Sequence, residues 1–145
     1  MAAAELFLVD KSAWERRTRD EQVDARLSAL LDAGAVAVCE VVALELLYSA
    51  RSSADYEARR RVLGRLRWLD SSPDAGRVAL EIQRALARSG RHRRPVPDLL
   101  IAATAITHGA TVLHCDHDFD VIASVSALSA EWIVPRSPPV PARSG

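Results

Sequence analysis

Lysine is almost missing from this chain: Lys11 is the single one among nineteen basic residues, and the other eighteen are arginines. Arginine in place of lysine favours planar, bidentate contacts to phosphate or carboxylate, although a high-GC coding bias gives the same composition. Cysteine is scarce too. Cys39 and Cys115 are too few for a disulfide framework, so a reducing cytoplasm is the expected setting. Aromatic residues make up only 5%, which leaves few platforms on which single-stranded bases can stack. No apolar run approaches the ~18 residues of a membrane span. The opening MAAAELFLVD has no basic segment and meets Asp10 too soon for a secretory signal.

The charge that is present is segregated. Between positions 51 and 94 stand twelve arginines against five acids, whereas positions 99 to 134 hold Asp116, Asp118, Asp120 and Glu131 with no lysine or arginine. A basic middle beside an acidic pole suits a protein that holds cations at one spot and a polyanion around it, and solvated helical faces are the plainer alternative. At 145 residues, one domain is expected over 1–135. The proline-rich PRSPPVPARSG that ends the chain has too few apolar residues to pack, and 136–145 is expected to be disordered.

Strand and helix patterns alternate. LFLV, AVAVC, RWLD, TVLHC and EWIV are short apolar runs that predict strands. Between them lie helical stretches at about 13–33, the segment EVVALELLYSARS, about 54–67, about 74–89, the proline-opened and glycine-closed RPVPDLLIAATAITHG, and DFDVIASV. Such alternation predicts a three-layer α/β domain around a parallel sheet.

In open parallel sheets ligands bind beyond the carboxyl ends of the strands. Asp10, Glu45, Asp98 and Asp116 all fall at that edge. Asp98 and Asp116 would also serve as ordinary helix-start residues. Glu45 is harder to explain that way, because it is a lone acid in VVALELLYSA and burying its charge costs several kcal/mol unless it is paired or bound to metal. Four converging acids without basic partners repel one another and retain protons unless a divalent cation neutralises them, and carboxylate oxygens suit Mg²⁺ or Mn²⁺. A calcium loop over Asp116, Asp118 and Asp120 fails, since its sixth position is Val121 rather than glycine and its twelfth is Ala127 rather than glutamate.

The strings FLVDKSAW, EVVALELLYSAR, PDLLIAATAITHGATVLHCDHDFDVIA and EWIV, from about Leu6 to Val134, resemble the PIN domain, and in particular the VapC toxins of type II toxin–antitoxin pairs. That resemblance implies a five-stranded parallel sheet in the order 3-2-1-4-5 and a magnesium-dependent endoribonuclease, with Mn²⁺ as a substitute, that leaves 5′-phosphate and 3′-hydroxyl ends. It matches Asp10, Glu45, Asp98 and Asp116 to the family's four catalytic and metal-binding acids. It makes Asp118 a supporting acid and Ser12 a hydroxyl beside the site, leaving Asp120 as a capping or surface residue. It also implies a homodimer and a VapB-like antitoxin lying along the acidic groove. His114 departs from the family pattern, which often has threonine or serine there, and Glu40 is a further acid whose part is open.

With the implied sheet order, Cys39 and Cys115 stand two strand spacings apart, about 9.5 Å, beyond disulfide reach. A zinc site at His114, Cys115 and His117 is disfavoured because alternation sends neighbouring strand residues to opposite faces. Arg88, Arg91, Arg93 and Arg94, near the third acid, are the expected RNA-phosphate contacts, with the arginines at 59 to 61 further out. Two other readings use the same residues: a catalytically silent PIN-like module that binds RNA or protein, and a metal-dependent phosphatase or phosphoacceptor domain with Asp10 or Asp116 as nucleophile.

Overall fold

The computed structural model describes residues 4–135, so the expected tail at 136–145 lies outside the described residues. Five strands, β1 (Phe7–Val9), β2 (Val36–Cys39), β3 (Arg67–Leu69), β4 (Thr111–His114) and β5 (Ser129–Trp132), form one sheet in the order β3-β2-β1-β4-β5. Every pairing is parallel. The helices between them are α1 (Lys11–Arg16), α2 (Glu21–Asp32), α3 (Glu40–Tyr48), α4 (Ser53–Leu63), α5 (Pro73–Ala87), α6 (Val96–His108) and α7 (His117–Ala123).

The three strands at the centre are buried at every position because both faces of the sheet are covered, and apart from Thr111 and His114 of β4 their residues are apolar. Leu8 packs with the buried side chains of α3, α5, α6 and α7, while Phe7 and Val9 point the other way, onto Ala13 of α1 and Val23 and Leu27 of α2. The sheet is therefore the middle of three layers. Each fully buried Leu or Phe in it contributes about 1.5–3 kcal/mol of hydrophobic stabilisation.

Two details differ from the sequence expectation. The helix expected over 13–33 is two helices, since Asp20 caps a fresh start by accepting the N–H groups of Gln22 and Val23. The last strand is Ser129–Trp132 rather than 131–134, and Cys115 lies just past β4. Ile133 still donates its N–H to the His114 carbonyl at 2.9 Å, which carries the pairing one step beyond the strand. Gly34 and Gly109 stop α2 and α6 at φ of +67° and +66°, the left-handed conformation that returns the chain toward β2 and β4.

The order of the strands creates the crevice. Successive connections carry the chain outward from β1 to β2 to β3, and it then returns by way of α5 and α6 to the opposite side of β1. The switch point lies between β1 and β4, whose registers place Val9 against Leu113. Asp10 follows the first of these strands directly, and Asp116 lies two residues beyond the second.

Candidate metal centre

Asp10 follows β1 and caps α1, with Oδ2 accepting the backbone N–H of Ser12 at 3.0 Å and its hydroxyl at 2.6 Å. The same Ser12 oxygen accepts the N–H of Cys115 at 2.9 Å, so one hydroxyl ties the ends of β1 and β4 together. Asp116 likewise caps α7, its Oδ1 accepting the Asp118 N–H at 2.9 Å. Capping and ligation are compatible here, because each carboxylate commits one oxygen to its helix and carries a second.

Asp98 enters from the third element. Pro95 and Pro97 frame the start of α6, and Asp98 sits in its first turn, where the helix dipole favours an anion. It is 7% exposed, and its Oδ2 has no hydrogen-bond partner. Burial, followed by the charges of Asp10, Asp116, Asp118 and Glu45, pushes its pKa up to about 8. Glu45, on α3, has a buried Oε1 that is also unpartnered, and burial with the nearby Asp10 raises its pKa. Asp10 is raised as well, by burial above all, against the opposing effect of its bonds to Ser12.

The four expected acids thus reach one crevice, although not equally. Carboxylate oxygens of Asp98, Asp116 and Asp118 lie within 4.8 Å of one another. Asp10 and Glu45 stand around this group, near enough for their charges to act on Asp98. Asp118, expected as a support, is inside the tight cluster. Its other tie is to Arg94, whose Nη1 donates to Oδ1 at 2.7 Å.

These donors fit a hard divalent cation. They are carboxylate oxygens only, they repel one another, and two of their oxygens are buried without any protein group to satisfy them. Added positive charge in the crevice would release the proton that Asp98 otherwise retains. Glu40 is exposed on the first turn of α3 and is outside the clustered group.

Several neighbours have structural tasks. His114 is fully buried on β4, its ring between Phe119 and Trp132 at centroid distances of 5.2 and 5.0 Å. Its Nδ1 accepts the N–H of Asp116 at 3.1 Å, which requires a proton on the other ring nitrogen in the neutral form. Burial lowers its pKa and favours that form. Asp120 accepts from the Trp132 indole at 3.1 and 3.2 Å, so it braces α7 against β5 rather than facing solvent alone. Cys39 and Cys115 are free thiols, the first buried at the end of β2 and the second half-buried just past β4, on opposite sides of β1.

The expected RNA contacts divide. Arg94 is engaged by Asp118, and Arg91 Nε donates to Ser89 Oγ at 2.9 Å. Arg93 is exposed in the loop before α6, and Arg88 lines a separate cleft with Val78, Ile106 and Ser126. Arg59 is bound to Asp55 and to the Leu46 carbonyl. The pairing of Arg94 with Asp118 spans 24 residues and has no local signal in the sequence.

Comparison with known proteins gives a consistent result. The PIN domain family matches residues 7–125. Ribonuclease VapC51 of Mycobacterium tuberculosis is 40% identical over 129 residues, which cover 89% of this chain and 93% of the relative. Ribonuclease VapC18 of the same organism is 40% identical over 134 residues, covering 90% and 97%. Among solved structures, VapBC2 from Rickettsia felis bound to a DNA fragment from its promoter matches with a TM-score of 0.72 at 20% identity, covering 87% of this chain and 97% of that one. DNA-bound VapBC from Salmonella typhimurium matches at 0.70 and 22% identity, covering 90% and 100%. At these identities the structural matches establish the fold.

Proposed function

The chain belongs to the PIN domain family, and on that premise we propose that it is the toxin of a type II toxin–antitoxin pair, an endoribonuclease that hydrolyses RNA phosphodiester bonds with Mg²⁺. Mn²⁺, with the same preference for oxygen ligands, is the expected substitute. The observation that carries the reading is the carboxylate crevice at the switch point, with Asp98 buried, unpartnered and raised to about 8. Relatives named ribonucleases, at about 40% identity over nearly the whole chain, support the same activity.

In this reading Asp10, Glu45, Asp98 and Asp116 are the catalytic and metal-binding residues. Asp118 joins them from the start of α7, and Ser12 acts as a strut that holds Asp10. A divalent cation bound there supplies activation of water and stabilisation of the charge that gathers on phosphate. The chain's own contribution is geometry. Strands β1 and β4 fix two carboxylates at their ends, α6 holds a third in its first turn, and α3 brings the fourth across the crevice. The protein's own cations near these carboxylates are Arg94, which is committed to Asp118, and Lys11, which pairs with Glu15 while its charge acts on Glu45.

Cognate antitoxin binding follows from the same reading, and structures of VapBC complexes on this fold support it. Leu44, Tyr48, Val62 and Trp68 are large, exposed apolar residues on α3, α4 and β3, and they give a partner a surface to cover. The homodimer and the cytoplasmic setting are part of the proposal. Among the described residues no helix is long and apolar enough to cross a membrane.

The biological reading is tested by expressing the chain in a bacterial host, alone and with its cognate antitoxin. Growth arrest that co-expression relieves and Asp98→Ala abolishes is the expected result. Arrest that persists with Asp98→Ala would break the link between the crevice and toxicity.

A further inference from the structure

On the flank of the acid crevice, between α1 and α3, lies an open cleft of about 550 Å³ whose walls include Trp14, Thr18, Arg19, Ser49, Arg51 and Arg59. It lies beside the helix that carries Glu45. Glu15 lines the cleft and its charge acts on Glu45, and the cleft wall on α3 begins with Leu46, the next residue along. The volume falls in the range of small-molecule sites, about 300–1,000 Å³.

The charges of the cleft do not cancel. Lys11 pairs with Glu15 at 3.4 Å. Arg59 is a fixed wall, held by Asp55 at 3.1 Å while it donates to the Leu46 carbonyl at 2.8 Å and Ser49 Oγ at 2.9 Å. The neighbouring Arg16 and Arg17 are paired with Asp20 and Asp24. Arg19 and Arg51 differ: both are exposed and, among the described residues, neither guanidinium forms a salt bridge, although the backbone N–H of Arg51 donates to Asp55 Oδ2 at 3.0 Å and its charge acts on that carboxylate. Trp14, on α1, packs one side against the core and lines the cleft with the other, and its indole Nε1 is a buried donor that no protein group satisfies.

We propose that this cleft is an RNA subsite beside the cutting position, in which Arg19 and Arg51 take a backbone phosphate and Trp14 provides a face for the adjoining base. The inference rests on the nuclease reading above and deepens it. A crevice lined with carboxylates repels a polyanion, so the strand must be held by cations at its margin. On the α6 side Arg94 is committed to Asp118 and Arg93 stands alone in an exposed loop, whereas the α1 and α3 side brings Arg19 and Arg51 together on one cleft. Arginine forks suit phosphate oxygens, and an indole face accepts any base. This subsite therefore contributes grip and register, with little choice of sequence.

The test separates binding from cutting. RNA affinity is measured across a salt series on the Asp98→Asn protein, with and without Arg19→Ala/Arg51→Ala. The exposed pair Arg65→Ala/Arg67→Ala, at the amino end of β3 and so at the opposite sheet edge, serves as control. Loss of one or two phosphate contacts flattens the slope of log affinity against log salt by about 0.7–1.4 for a single strand. That flattening is expected for the cleft pair and not for the control. In the protein that retains Asp98, the cleft pair is expected to raise KM by roughly tenfold with kcat within about twofold, the pattern of lost uniform binding.

An unchanged salt slope and KM in the cleft variant would overturn the proposal. So would a variant that keeps RNA affinity but loses antitoxin affinity, because the cleft would then belong to the antitoxin. If RNA binds with the expected slopes and yet the Asp98 protein cuts nothing in Mg²⁺, the cleft stands and the nuclease reading falls.

Discussion

The Ser12 hydroxyl donates to Asp10 Oδ2 at 2.6 Å while its oxygen accepts the backbone N–H of Cys115 at 2.9 Å. A side chain bonded on both sides is a strut between strand ends, and it determines where the first carboxylate points. Ser12→Ala is expected to lower kcat by about tenfold with KM little changed, and to cost about 1 kcal/mol of stability. Ser12→Thr keeps the hydroxyl and is expected to recover most of the rate. Steady-state cleavage and urea unfolding of the three proteins provide the check, and equal loss in both variants would count against the strut.

Asp98 makes stability depend on pH in a direction that can be stated. Its ordinary pKa of 3.8 holds in the unfolded chain, and the folded, cation-free protein raises it to about 8. Between those values the folded chain binds the extra proton, so stability is greatest below about pH 4 as far as this group is concerned and falls as pH rises to about 8. Asp10 and Glu45, also raised, act in the same direction. Asp98→Asn is expected to weaken this pH dependence and to be the more stable protein in chelator near pH 8. Added Mg²⁺ is expected to stabilise the parent and leave Asp98→Asn nearly unmoved. Urea midpoints across pH, with chelator and with Mg²⁺, measure both effects.

Arg94 competes for Asp118. The pair is half-buried, with side-chain exposures of 26% and 24%, and an ion pair of this kind contributes about 0–1 kcal/mol. Arg94→Ala is therefore expected to tighten Mn²⁺ binding by up to about fivefold, since it frees a carboxylate and removes a positive charge. Exposed Arg93→Ala is expected to leave cation affinity unchanged. Calorimetric titration of both variants distinguishes them, and weaker binding in Arg94→Ala would instead make the arginine a support for the ligand geometry.

His114→Ala removes a ring packed on Phe119 and Trp132 and leaves the Asp116 N–H without its acceptor. A loss of about 2–4 kcal/mol is expected from the cavity and the orphaned donor together. Because that donor positions Asp116, activity should fall even at temperatures where the variant remains folded. Thermal unfolding monitored beside cleavage separates the two losses.

Much of this was legible in the sequence because period and punctuation were strong. Asp10 directly after the apolar LFLV and the Pro-Asp start of α6 each predict a position at the same sheet edge. Glu45 was legible as a charge with no local partner, and its unpaired buried oxygen is the structural counterpart. The break between α1 and α2 was missed because residues 15–22 are an unbroken polar run with no glycine or proline to mark a stop, and only Asp20, one acid among many, marks the new cap. The ties that shape the site were beyond reach for a different reason. Ser12 to Cys115 and Arg94 to Asp118 join residues 103 and 24 apart, and no helical or strand period links such positions.

The central claim is that these carboxylates cut RNA by way of a bound divalent cation, and its most direct test uses purified, antitoxin-free protein on total cellular RNA. Reactions with Mg²⁺, with chelator, and with Asp98→Ala in Mg²⁺ are run side by side, and the cut ends are mapped. Discrete cuts bearing 5′-phosphate and 3′-hydroxyl ends, present only when both Mg²⁺ and Asp98 are, are the predicted result. Cleavage that survives chelator or Asp98→Ala, or no cleavage by protein shown to be folded in Mg²⁺, would contradict it.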